Sequence, residues 1–172
     1  MYKLIALLTI LFSPVGAAAT ESAQENLKKV YDETIDPLVQ LDNAIASASQ
    51  SRQYVLCQLG GNWCKWCLRL AQFVSQDEEI SKLIKDNYKF IHVNYNPRIR
   101  NRDSAEQAKT DKLLKRLGNP GRFGYPVLIV LDGKGRVLHI QDSSFLEEGD
   151  SYSRNKVLRF LRNCTPSAVN GK

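Results

Sequence analysis

The chain predicts an α/β fold, a mixed β-sheet with helices on both faces, and three observations carry that reading. Two short runs rich in strand formers, QYVLCQL at 53–59 and YKFIHVNYN at 88–96, are separated by two helical stretches. A connection of that length favours a parallel pair joined by a right-handed crossover. Further on, VLIVLDGKGRVLHIQ at 127–141 reads as two apolar strands joined by a turn on Asp132-Gly133, a hairpin signal. Finally, 172 residues that are 43% hydrophobic and 24% charged suit one ordinary soluble domain.

The elements follow in order. Met1 begins a segment with one lysine, Lys3, an apolar run from Leu4 to Phe12, and the small residues Gly16-Ala17-Ala18-Ala19. The run is shorter than the about 20 residues a permanent membrane span needs. It reads as a secretory signal peptide, residues 1–19, cut near Ala19. With no cysteine near the cut, no lipid anchor and no stable membrane insertion are expected. The mature protein is expected to be periplasmic or secreted, where disulfides persist. Residues 20–36 form an N-terminal lead-in with scattered apolar positions, among them Leu27, Val30, Tyr31 and Ile35. The main domain is expected over 37–163, with a tail at 164–172.

Asp36-Pro37 is a helix start signal, and the spacing Leu38, Leu41, Ala44, Ile45, Ala48 predicts a helix to about Ser49. Gln53–Leu59 suits a strand buried on both faces, ended by Gly60-Gly61. A helix opening at Asn62 or Trp63 then runs through Phe73. A second start over Ser75–Glu79 leads into EEISKLIKDN. Ser104 with Gln107 makes a capping box for a helix ending near Leu117, where Gly118 caps its end. GNPGRFGYP at 118–126 forbids regular structure. After the hairpin comes an acidic loop with Glu147, Glu148 and Asp150, then a last helix from about Arg154 to Arg162.

Charge excludes some functions. The net charge is +6, but the basic residues are spread along the chain and no run of five or six like charges appears. With no basic aromatic motif either, nucleic acid is not an expected partner.

The chemistry concentrates in GGNWCKWCLRL at 60–70, which places Cys64 and Cys67 three positions apart, each directly preceded by a tryptophan, Trp63 and Trp66. A structural zinc site usually takes four Cys or His ligands in two short-spaced pairs. Here the remaining cysteines, Cys57 and Cys164, are isolated, and both histidines, His92 and His139, fall in predicted strands. No metal is expected. A purely structural crosslink is disfavoured too, because so short a loop removes little entropy from the unfolded chain. A redox pair makes sense of the spacing. A cysteine in the first turn of a helix feels unpaired amide N–H groups and the positive end of the helix dipole, and both favour the thiolate. Lys65 adds a nearby positive charge. Cys64 is then the expected nucleophile and Cys67 the thiol that resolves the mixed disulfide.

YVLCQLGGNWCKWCLRL, followed much later by GYPVLIVLDGKGRV, resembles the thioredoxin-like family, close to its secreted bacterial members. The resemblance covers roughly Pro37 to Asn163 and rests on Trp63, the CxxC pair and the Gly-x-Pro at Gly124–Pro126. It implies a thioredoxin-like fold in which Pro126 has a cis peptide bond beside the cysteines and the Tyr125 backbone pairs with substrate peptide. Trp63, Trp66, Tyr125 and Pro126 are accordingly expected to shape the substrate surface. One departure is marked. Thioredoxins proper carry a buried aspartate six positions before the first cysteine, and Gln58 stands there. The dipeptide between the cysteines, Lys65-Trp66, also lacks the histidine of strong oxidants.

These observations imply a thiol–disulfide oxidoreductase acting on protein or peptide thiols and disulfides outside the cytoplasm, leaning to reduction. Its only cofactor would be the Cys64–Cys67 dithiol, since no nucleotide or flavin motif is present, and reduction would draw on a membrane electron donor. The alternative is a non-catalytic thioredoxin-like module that holds a partner peptide, which Gln58 favours. Cys57 is expected in the core, Cys164 near the surface, free or bridged, and His92 and His139 as strand residues with satisfied ring nitrogens.

Overall fold

The computed structural model describes residues 26–171; the expected signal peptide and its cleavage site lie outside them. Among the described residues six α-helices and six strands follow one another: α1 (Pro37–Ser51), β1 (Tyr54–Gly60), α2 (Lys65–Gln76), α3 (Glu78–Asn87), β2 (Tyr88–Asn94), α4 (Ser104–Arg116), β3 (Val127–Leu131), β4 (Val137–Asp142), β5 (Glu147–Glu148), β6 (Ser151–Tyr152), α5 (Arg154–Asn163) and α6 (Pro166–Val169). The main sheet has the order β2-β1-β3-β4. β1 and β2 run parallel, Cys57 opposite Ile91, while β3 is antiparallel to both β1 and β4. The sheet is therefore mixed, with the crossover and the hairpin where the sequence predicts them.

Alternation along β1 builds two cores. Val55, Cys57 and Leu59 point to one face and pack with Leu41, Ala44 and Ala48 of α1 and Leu113 of α4. Tyr54 and Leu56 point to the other and pack with Leu70 and Val74 of α2, Ile80 and Ile84 of α3, and Val157 and Leu161 of α5. Every residue of β1 is buried, as a central strand covered on both sides should be. Cys57 and Cys164 are both free, and they belong to opposite faces, so a bridge between them does not form.

Caps explain the helix boundaries and correct two of the expected ones. Asp36 accepts from the Leu38 amide at 2.9 Å and starts α1. α4 is capped by Asp103, which accepts from the Glu106 amide at 2.8 Å, rather than by Ser104, which is already helical. The carboxylate is the stronger acceptor and stands one residue earlier. At the other end Gly118 adopts φ +77 and donates to the Lys115 carbonyl while Asn119 donates to Leu114, a paired closure that needs the left-handed residue. α2 starts at Lys65 with Cys64 as its cap, later than the expected Asn62 or Trp63. The hairpin turn spans Asp132–Arg136, with the Asp132 carboxylate accepting from the Lys134 and Arg136 amides at 2.9 Å and Gly135 in the left-handed region. Residues 164–172, expected as a tail, carry the short helix α6, started by the Thr165 side chain.

Asp77 joins three elements. It ends α2, accepts from the Ile80 amide at 2.9 Å to start α3, and pairs with Arg154 of α5 at 2.6 Å. Arg154 reaches Glu79 as well. Replacing Asp77 by alanine removes a cap and is expected to cost about 1–2 kcal/mol of stability in urea unfolding. Arg154→Ala removes only two surface ion pairs, to Asp77 and Glu79, and should cost less; equal losses would show that the cap is not the dominant interaction.

Candidate functional site

Cys64 and Cys67 form a disulfide with Cα atoms 5.2 Å apart. The geometry follows from the helix start. Cys64 is the last extended residue before α2, at φ −107 and ψ 105, and the Cys67 amide N–H donates to its sulfur at 3.1 Å. The cap that a serine or aspartate oxygen normally supplies is here a sulfur. Of the pair Cys64 is the more exposed, at 7% against 0% for Cys67. Its sulfur lies 3.6 Å from the carbonyl oxygen of Tyr125, and the Tyr125–Pro126 peptide is cis. β3 begins one residue later, and the Ser143 hydroxyl donates to the Pro126 carbonyl at 2.5 Å. The start of α2 and the entry to β3 thus converge on Cys64.

The two tryptophans flank the disulfide on different sides. Trp63 packs edge-on against Tyr125, donates its indole N–H to the Tyr95 carbonyl at 3.1 Å and lies under the Arg98 guanidinium. Trp66 packs edge-on against Tyr152 and under Arg69, and the Tyr152 hydroxyl donates to its carbonyl at 3.1 Å. Both are half-buried and contact the cluster that holds the cysteines. Lys65 is exposed on the first turn of α2.

Gln58 is fully buried beneath the pair. Its amide nitrogen donates to the Cys67 carbonyl at 2.8 Å and to the Tyr31 hydroxyl at 2.6 Å, while its own oxygen has no partner. The Cys67 carbonyl can only accept, so the atom facing it must be the NH2 group and the amide orientation is settled. Tyr31 was missed by sequence reasoning. It comes from the lead-in, 27 positions before Gln58, and packs in one buried cluster with Cys64, Cys67 and Leu68. Asn62 clamps the lead-in there: its oxygen accepts from the Val30 and Tyr31 amides at 3.2 Å each, and its nitrogen donates to the Tyr31 carbonyl at 2.8 Å. The available signal was a group of apolar residues, Leu27, Val30 and Tyr31, in a polar stretch. Gly60 makes room for this arrangement, since a Cβ there would sit 2.5 Å from the Cys67 sulfur and 2.9 Å from the Tyr31 hydroxyl.

Burial sets the ionisation of the surroundings. It holds the Tyr31 hydroxyl far above the usual tyrosine range, so the group stays protonated at neutral pH. It also pushes the Cys57 thiol up, which makes Cys57 an inert core residue. His139 meets Gln141 at 3.2 Å, whereas His92 departs from the expectation of satisfied ring nitrogens, because its Nε2 is buried without a partner. Among the described residues no cluster of three or more His, Cys, Asp or Glu could hold a metal ion, and no helix is long and apolar enough to cross a membrane.

A profile described as thioredoxin-like matches residues 36–133, more than half of the sequence. The chain belongs to the thioredoxin-like family. Among solved structures it is similar to a disulphide isomerase from Xylella fastidiosa Temecula1, at 22% identity and a TM-score of 0.64, covering 80% of this chain and 97% of that one. A protein titled DsbH oxidoreductase matches at 17% identity and a TM-score of 0.49, over 75% of this chain and 81% of the other. A thioredoxin from Thermus thermophilus matches at 19% identity and a TM-score of 0.47, over 76% and 88%. At these identities the likeness to the Xylella structure speaks for the fold, which agrees with the mixed sheet and its helices. No curated protein matches the chain.

His92 gives this region a pH signature. Burial lowers its pKa to about 4 from an ordinary value near 6.5. Within that window the unfolded chain binds a proton that the folded one refuses, so stability rises with pH there and falls on acidification from about 6.5 toward 4. Urea unfolding across this range should show the slope in the native protein and a flatter one in His92→Gln; identical slopes would remove His92 as its source.

Proposed function

We propose that the protein is a thiol–disulfide oxidoreductase in which Cys64 is the attacking thiolate and Cys67 the resolving one. The observation that carries this is the position of the Cys64 sulfur: it caps a helix, accepts an amide N–H, is the more exposed of the pair and lies against the Tyr125 carbonyl. An amide donor and a helix N-terminus lower a thiol's pKa and prepare it to attack.

In the reducing direction, the Cys64 thiolate attacks one sulfur of a substrate disulfide. The substrate S–S bond breaks, one substrate sulfur leaves as a thiolate and takes a proton from water, and a mixed disulfide forms at Cys64. Deprotonated Cys67 then attacks the Cys64 sulfur. The Cys64–Cys67 bond forms and the second substrate sulfur leaves, so that two electrons have passed from the dithiol to the substrate. The dithiol is the only redox group this requires.

Protein or peptide substrates suit the surface. An extended chain laid along Tyr125 would use backbone hydrogen bonds, with Trp63 and Trp66 as apolar flanks and Pro126 fixing the turn. The similarity to the disulphide isomerase points to the same substrate class. The signal-like N-terminus supports a reaction outside the cytoplasm, where a reductant would be recharged by a membrane electron donor. Absence of histidine between the cysteines favours reduction over oxidation.

The test is a trap. Incubated with a disulfide-bonded peptide, Cys67→Ser should accumulate a covalent adduct at Cys64, seen by mass spectrometry and released by dithiothreitol. Cys64→Ser should form none, and the native protein should turn over. A Cys67→Ser protein that stays unmodified while still binding the peptide would instead make the chain a non-catalytic peptide-holding module.

A further inference from the structure

We propose that the Tyr31 hydroxyl is a hydrogen-bond donor to the Cys67 sulfur in the reduced protein, aimed by Gln58, and that this pair assists the resolving step. The inference rests on the reading of Cys67 as the resolving thiol.

Three observations support it. First, the direction of the chain is set. The Gln58 amide nitrogen faces the acceptor-only Cys67 carbonyl at 2.8 Å, so the same NH2 group donates its second proton to the Tyr31 oxygen at 2.6 Å. The Tyr31 oxygen is thereby an acceptor toward Gln58, and its own proton must point elsewhere. Among the described residues no acceptor takes that proton. Second, the hydroxyl and the Cys67 sulfur border the same space over Gly60, where a side-chain carbon would lie 2.9 Å from the one and 2.5 Å from the other. Third, Tyr31 is 4% exposed and Cys67 0%, so water does not compete for the sulfur at this place. Asn62, in the turn that carries the cysteines, holds the Tyr31 backbone on both its N–H and C=O sides, which fixes the hydroxyl relative to the redox pair.

The chemistry differs from that of a buried carboxylate. An acid could accept the proton of the Cys67 thiol, but its negative charge would oppose the thiolate that results. Gln58 and Tyr31 are both neutral. Their donor chain runs N–H to oxygen to sulfur and stabilises the thiolate without itself taking up a proton; the thiol proton ends on the substrate sulfur that leaves Cys64. The Cys67 thiolate then forms its bond to the Cys64 sulfur as the Cys64–substrate bond breaks. Hydrogen bonds to charged groups are worth about 1.5–3 kcal/mol, or roughly ten- to a hundredfold in rate. Tyr31 also lies outside the span of 36–133 matched by the thioredoxin-like profile, so the device belongs to the lead-in of this chain.

The experiment separates the two chemical steps. Stopped-flow mixing of the reduced protein with a disulfide-bonded fluorescent peptide reads adduct formation at Cys64 and then peptide release by Cys67. In Tyr31→Phe, adduct formation should keep its native rate while release at neutral pH slows about ten- to a hundredfold, with the pH profile of release displaced to higher pH. Gln58→Leu should slow release in the same way, and the double variant should be no slower than the slower single one, since both remove one chain. Native release in both single variants overturns the proposal, as does a slowing of both steps together, which marks a packing role only. A native protein that forms no adduct at all would refute the oxidoreductase reading itself, a distinct outcome.

Discussion

The helix start at Cys64 is the interaction on which the site depends. The first amides of any α-helix lack internal partners, and a side-chain acceptor at the cap position is the usual remedy. Here the acceptor is sulfur, taking the Cys67 N–H at 3.1 Å. One contact therefore begins α2 and surrounds the sulfur with the donor and the dipole that favour its anionic form. It also sets the spacing of the pair, because the residue three positions on is the one whose amide reaches back to a cap and whose side chain lies one turn into the helix.

The rest of the fold delivers partners to that point. β1, buried on both faces, brings Gln58 beneath the pair and ends at Gly60-Gly61, where the chain turns tightly enough for the Cys67 sulfur to lie over Gly60. β3, antiparallel to β1, brings the Tyr125 carbonyl to the other sulfur. Asn62 bolts the N-terminal lead-in onto the turn and so adds Tyr31. The result is an asymmetric pair: Cys64 faces the surface between Trp63 and Tyr125, and Cys67 faces an interior that is polar but neutral.

Much of this was legible in local sequence. The strand–helix–helix–strand order, the hairpin and the WCKWC stretch carry their signals within a few residues, and periodicity and turn chemistry read such signals well. What escaped was non-local or competitive. The contact of Tyr31 with Gln58 joins residues far apart in sequence, so Gln58 could be recognised as a replaced acid while its partner could not be named. At α4 two adjacent residues, Asp103 and Ser104, both suit a cap, and only the backbone decides between them. His92 alternates with neighbours as a strand residue should, yet the ring contacts with Tyr31 and Phe90 that leave its Nε2 unpartnered come from tertiary packing.

If electrons flow outward from the dithiol, equilibration of the Cys64–Cys67 couple against glutathione buffers should give a potential near that of thioredoxin-type reductants, about −270 mV. A value near about −120 mV would mark an oxidant and contradict the direction argued here. A bond that resists reduction well below about −300 mV would mark a structural crosslink and contradict the redox role altogether.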